Sequence, residues 1–270
     1  MTEIVSLEAL AGLVEPGQSI AIPVEGVSMA ATAALIEAGV TDLRIICVPI
    51  SSMQADLLIG AGMVAVLETS AVSLGEAGAA PRFGAAVRDG AFSLRDSTCP
   101  AILAGLLAAQ KGVPFMPIAG IIGSDLLRVR PDWKVIDSPV GEAGKVVVVP
   151  AIAPDIALFH APEADRAGNI RIGRRRELAA MAYAAKRTFV TVERIVDRNL
   201  LATEDSAAGV LPSLYVDRIA VAERGAWPLP LWDEYPGDDA EIARYAAMAR
   251  TEEGFRVYLS GFLGRRRKVA

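Results

Sequence analysis

The stretch Lys145–Gly173, KVVVVPAIAPDIALFHAPEADRAGNIRIG, decides how the chain is read. It holds two short apolar runs, Lys145–Val149 and Ile156–His160. A fully apolar run of this length, bounded by Pro and Gly signals, reads as a strand buried on both faces. Such strands belong to parallel sheets covered by helices. Val146–Val149 and Ile156–Phe159 are therefore both expected at the centre of one. Pro154 and Asp155 mark the turn between them. Past the second run come HAPEADRAGNIRI, a helical segment, and a further strand-like run, Thr188–Val192.

Upstream, strand and helix signals alternate. Ser6–Leu13 reads as an amphipathic helix capped by Ser6, and Pro16-Gly17 turns the chain into a strand, Ser19–Ile22. A turn at Glu25-Gly26 leads into a helix ending near Gly39. Then come strand Leu43–Val48, helix Ser51–Leu58, strand Val64–Glu68, helix Ala80–Arg88, strand Ala91–Leu94, helix Pro100–Lys111 and strand Phe115–Ile118. Gly120–Leu127 reads as a loop. This alternation predicts an α/β fold, an open and mainly parallel sheet of at least six strands with helices on both faces. Residues 1–270 are expected to form a single domain, more irregular from about residue 198. There Pro212, Pro228, Pro230 and Pro236 interrupt the pattern, leaving a strand at Val216–Val221 and helices at Asp238–Arg250 and Glu252–Phe262.

Composition narrows the function classes. The chain has 270 residues, 53% hydrophobic and 22% charged, with net charge -5. That balance gives no general attraction to nucleic acid or to anionic membranes. The basic cluster Arg265–Lys268 reads as a solvated tail. No apolar run reaches the roughly 18 residues of a membrane span. Met1–Leu13 carries Glu3 and Glu8 rather than the basic start of a signal peptide, so the cytoplasm is expected. The two cysteines, Cys47 and Cys99, make no disulfide framework, and the single histidine argues against a zinc site.

The segment from His160 through Ala164, Asp165, Gly168, Asn169 and Ile170, continued by AAKRTFVTVERIVD at Ala184–Asp197, resembles the family I coenzyme A transferases. The alpha-type subunits, those of glutaconate CoA-transferase among them, match best, from about Gly62 to Asp197. GAAPRFGAAVRDG and the loop GIIGSDLL follow the same pattern. Related hydrolases that open a steroid-derived ring as its CoA thioester share it. The resemblance implies a beta-type partner subunit, acyl-CoA and carboxylic acid substrates, and no permanently bound cofactor, coenzyme A being a substrate. It also implies that the nucleophilic glutamate of the family sits on the partner.

Candidate site residues follow from strand ends, because ligands of α/β sheets bind beyond the carboxyl ends of the strands. Glu25, Gly26, Val27 and Ser28 form the first turn, where the family has a glycine-rich loop. Free N–H groups at the start of the following helix offer an anion cradle. Glu68 ends a strand and is a candidate nucleophile, although the family position falls nearer Ala71; Ser70 lies between. Thr98 and Cys99 open a helix, and Cys99 stands where the ring-opening hydrolases carry a functional glutamate. Gly120 and Ile121 complete the set. Glu25–Ser28, Glu68–Ala71, Thr98–Cys99 and Gly120–Ile121 are expected to converge at one end of the sheet, with Ser28 and Ser124 as polar substrate contacts. The turn containing Asp165 and Asn169 is expected to hold the His160 ring.

Three functions remain: the alpha-type half of a CoA transferase, one half of a CoA-thioester hydrolase acting on a cyclic β-keto acyl-CoA, and a non-catalytic binding or scaffolding role. A nicotinamide-dependent dehydrogenase is disfavoured, since no G-x-G-x-x-G turn follows the first strand.

Overall fold

A computed structural model describes residues 2–141 and 144–266. In chain order its elements are β1 (Glu3–Ile4), α1 (Leu7–Ala11), β2 (Ser19–Pro23), α2 (Met29–Ala38), β3 (Leu43–Val48), α3 (Met53–Gly60), β4 (Val64–Thr69), α4 (Pro81–Asp89) and β5 (Ser93–Asp96). There follow α5 (Cys99–Gln110), β6 (Phe115–Ile118), α6 (Leu126–Val129), β7 (Lys134–Asp137), β8 (Lys145–Pro150), β9 (Ile156–Asp165), β10 (Ile170–Arg171) and α7 (Arg176–Ala184). The remainder comprises β11 (Arg187–Val196), α8 (Glu204–Ala207), β12 (Val210–Leu211), β13 (Arg218–Val221), α9 (Asp239–Met248) and α10 (Glu252–Arg266).

The main sheet runs β1-β13-β11-β9-β2-β3-β4-β5, every neighbouring pair parallel, with β10 added antiparallel to β9 and β12 antiparallel to β10. β9 is central, and Ile156–Phe159 is buried as its unbroken apolar run predicts; the more polar remainder, through Asp165, is buried as well. Its side chains alternate between two cores. Ile156 and Leu158 join α1, α2, α3, α9 and α10, while Ala157, Phe159 and Ala161 join α5 and α7. Each large apolar side chain buried this way contributes roughly 1.5–3 kcal/mol.

The valine run behaves otherwise. β8 is the middle strand of a separate antiparallel sheet, β6-β8-β7, and lies outside the parallel one. Val147 and Val149 pack on Ala101, Ile121 and Trp133, while Val146 and Val148 are only half-buried. One face of the run is covered rather than two.

The irregular C-terminal part reaches back into the fold. β13 lies between β1 and β11. Arg265 and Arg266 are the last turn of α10, not a solvated tail. Arg266 is 9% exposed and donates to the carbonyls of Arg224, Gly225 and Trp227. Burial drops its pKa to about 10. Arg267 and Lys268 lie outside the described residues. Among the described residues no helix is long and apolar enough to cross a membrane.

Candidate functional site

Parallel strands β2, β3, β4 and β5 deliver their carboxyl ends to one edge of the sheet. The loops beyond β3, β4 and β5 are tied together by the backbone. Ser70 donates twice to the Pro49 carbonyl, from N (3.2 Å) and Oγ (2.9 Å). The Ser51 N–H donates to Ala71 O (3.1 Å), and the Ser97 N–H to Thr69 O (3.0 Å). Thr98 caps α5 by accepting from the Ala101 N–H (3.2 Å). Cys99 thereby sits exposed on the first turn, its Sγ 3.1 Å from Ser70 Oγ. Ile121 packs in the same small core as Ala101, which places the Gly120–Ile121 segment beside this end of α5.

The turn after β2 lies against β9. Gly26 has φ 71°, and its carbonyl accepts from the His160 N–H (2.6 Å). A Cβ here would meet His160 O at 2.6 Å and the Trp232 ring at 3.0 Å, so only glycine fits. The anion cradle expected at the start of α2 is closed. The Ala30 N–H donates to Gly225 O (2.9 Å), that of Ala31 to Ser28 Oγ (3.3 Å) and that of Thr32 to Ser28 O (3.0 Å). Ser28 faces inward onto Thr191 Oγ1 (2.6 Å) and is fully buried. What remains for a ligand is earlier in the turn, where the N–H groups of Glu25, Gly26 and Val27 have no acceptor among the described residues, that of Val24 being taken by the β2–β3 ladder at Pro23–Val48. The exposed carboxylate of Glu25 accepts from Arg175 Nε (2.8 Å).

Glu68 does not join this group. Its register partner on β3 is Ile46, which faces the α5–α7 core, and Glu68 projects from the same face. There its carboxylate meets Arg130 at 2.8 Å and Arg95 at 3.7 Å. Its strand carries Ser70 and Ala71 on to the edge, so the expected convergence holds for the end of that segment and not for its glutamate. Ser124 caps a turn, accepting from the Leu126 N–H (3.2 Å).

The sequence pattern of the Coenzyme A transferase family matches residues 5–222. The chain belongs to that family. It is 31% identical to the A-type chain of the 3-oxoadipate CoA-transferase of Pseudomonas knackmussii, over 97% of this chain and 94% of that one. It is 30% identical to the cholesterol ring-cleaving hydrolase IpdA subunit of Rhodococcus jostii, over 96% and 91%. Among solved structures, glutaconate coenzyme A-transferase from Acidaminococcus fermentans superposes with a TM-score of 0.86 at 26% identity, covering 96% of this chain and 87% of that one.

In this coenzyme A transferase family member the lone histidine is part of the scaffold behind the turn. His160 is fully buried, with Nδ1 2.8 Å from Thr191 Oγ1 and Nε2 2.8 Å from Glu193 Oε1. Asp165 and Asn169 bond each other and the backbone instead, correcting the expected local partnership. Burial pushes the His160 pKa down despite its carboxylate neighbour. The pair is therefore a neutral imidazole giving its Nε2–H to an ionised carboxylate, and Nδ1 accepts from the Thr191 hydroxyl. Burial opposes the charge of Glu193, but hydrogen bonds from His160 and Tyr235 prevail and hold its pKa below the usual value. Glu193 also accepts from the N–H groups of Arg224 (2.7 Å) and Gly225 (3.0 Å). Thr191 and Glu193 went unnoticed in the sequence, yet a signal was present: polar residues at alternate positions of an otherwise apolar strand.

Proposed function

We propose that this chain is the alpha-type half of a heteromeric CoA transferase, moving coenzyme A between an acyl-CoA and a carboxylic acid at a site shared with a beta-type subunit. The similarity to the A-type chain of the 3-oxoadipate enzyme, over nearly the whole of both chains, carries the reading. The geometry supports the division of labour. Each of the two expected crevice carboxylates has a cationic partner, Glu25 with Arg175 and Glu68 with Arg130. The attacking glutamate then comes from the partner. It displaces CoA thiolate from the acyl-CoA to form an acyl anhydride. The thiolate returns to the glutamyl carbonyl, releasing the carboxylic acid and leaving a glutamyl-CoA thioester. The unused N–H groups of Glu25, Gly26 and Val27 are suited to stabilising the oxyanion of these steps. Ser70, Ala71, Thr98, Cys99, Gly120 and Ile121 line the acyl end, and the nucleotide end of CoA lies mainly on the partner.

The relative that opens a cholesterol-derived ring keeps a hydrolase reading in view, but Cys99 cannot replace a carboxylate in acid–base work. A purely scaffolding role has less in its favour, given the open turn and the exposed thiol. We take residues 1–270 as one domain and the cytoplasm as its compartment, in keeping with two free thiols.

The test is reconstitution. The chain alone, a beta-type chain alone and the two mixed are assayed with an acyl-CoA donor and a panel of carboxylic acids. Turnover is expected only from the mixture, with borohydride or hydroxylamine trapping a glutamyl thioester on the partner. Robust transfer by this chain alone, abolished by Glu68→Ala, overturns the two-subunit reading.

A further inference from the structure

A second cavity lies on the face of the sheet, away from the crevice. Strand register sets Ser19, Arg44, Val66 and Ser93 in one row across β2, β3, β4 and β5, and Ala21, Ile46, Glu68 and Arg95 in the next. Residues two apart share a face, so both rows project to the same side. The segments Val129–Asp132 and Val149–Ile152 flank the patch and leave a half-open cavity of about 590 Å³, with Arg44 and Arg95 exposed along it. That volume suits a small organic molecule.

Its charges do not balance. Arg44, Arg95 and Arg130 face Glu68 and Asp132, leaving one positive charge over. Arg130 is a fixed wall: Nε donates to Asp132 (3.0 Å), Nη1 to Asp96 O (3.0 Å), and Nη2 to Glu68 (2.8 Å) and Asp132 (3.0 Å). Its guanidinium also stacks on Trp133, 4.3 Å from the ring centroid. Arg95 is less committed, with Asp132 at 2.8 Å and Glu68 at 3.7 Å. Arg44 has no ion-pair partner among the described residues. Two strand spacings and a two-residue step separate the Arg44 and Arg95 backbones by about 12 Å, a span their side chains close from either end.

We propose that this cavity binds a small organic anion, a carboxylate or phosphate monoester, whose charge lies between Arg44 and Arg95 and whose apolar body rests on Val66, Val149 and Ile152. Guanidinium groups recognise both acids through charge-assisted hydrogen bonds. The site is independent of the transferase crevice and of the reading given to it.

The test is calorimetric titration of the full chain with benzoate and with phenyl phosphate, which separate the two acid classes, and with inorganic phosphate as a charge-only probe. At least one organic probe is expected to bind saturably and more tightly than inorganic phosphate. Arg44→Ala is expected to weaken it about tenfold or more, the loss of one charge-assisted hydrogen bond. Arg44→Lys should recover part of that loss, and Cys99→Ser, at the crevice, should leave binding unchanged. No saturation up to about 10 mM overturns the proposal, as does equal affinity in Arg44→Ala. Loss of binding in Cys99→Ser, or on addition of a beta-type partner, also overturns it, the latter marking the cavity as an interface with that partner.

Discussion

Replacing His160 with Gln should change how stability depends on pH, and the size of the change can be worked out. His160 is the chain's single histidine. Burial holds its folded pKa below the ordinary 6.5. Below pH 6.5 the unfolded chain therefore takes up a proton that the folded chain refuses. Stability rises with pH wherever the unfolded state binds more protons, so this contribution is full above 6.5 and is lost as pH falls. The slope approaches about 1.4 kcal/mol per pH unit for one proton. Moving from about pH 7 to about pH 5.5 costs at most about 1.3 kcal/mol, the limit for a ring that stays neutral in the folded chain throughout. Glu193 acts lower: its pKa is held under 4.5, so its contribution is present above that value and fades only below it. The assay is urea unfolding across this pH range with linear extrapolation. His160→Gln will be less stable throughout, but the test is its slope, which should lack the histidine contribution. Other groups, including Asp56 with its raised pKa, are common to both chains and cancel. Parallel stability curves for the two proteins between pH 7 and 5.5 would refute the neutral-histidine assignment.

Three further outcomes are expected. Arg130→Ala leaves the carboxylate of Glu68, itself 7% exposed, with only Arg95 at 3.7 Å, and should lose about 3 kcal/mol in denaturant unfolding; Glu68→Gln in the assembled enzyme should keep kcat within about threefold, since the pair is structural. Gly26→Ala combines an unfavourable φ of 71° with a Cβ 2.6 Å from His160 O and should cost about 1–3 kcal/mol, read as a lowered unfolding midpoint. Exposed Cys99 should react with a disulfide reagent in the native chain, while Cys47, buried with its pKa pushed up to about 12, should react only after unfolding; equal native rates would contradict the assigned burial.

Ile156–Phe159 was legible as a central strand because both of its faces are covered. Val146–Val149 carries the same signal on a strand with one covered face, since an all-valine run hides the alternation that distinguishes the two. Run length and hydrophobicity do not say which sheet a strand joins. The loops at the sheet edge were legible for a different reason: parallel topology alone sends them to one side. Glu68 was misplaced within its segment because its direction depends on pairing with Ile46, a register between separate strands. The partners of His160 escaped for the same reason. Thr191 lies on the neighbouring strand, and the carboxylate of Glu193 is held by a loop some thirty residues further on. The last arginines read as solvated because charge at a terminus usually is; the three carbonyls that receive Arg266 are invisible to composition.

The pairing of β1 with β13 bears on how the protein is made. Glu3 is in register with Arg218 and Ile4 with Ile219, and Thr2 Oγ1 donates to Val216 O at 2.8 Å. A ribosome adding about 5–20 residues per second leaves the first strand without its partner for roughly ten to forty seconds. Through that interval the backbone groups of Glu3 and Ile4 have no ladder partner, and Thr2 lacks its acceptor on Val216. An unpaired strand end is a template for wrong pairing, and a fusion that occupies this segment would delay closure of that sheet edge rather than disturb the crevice.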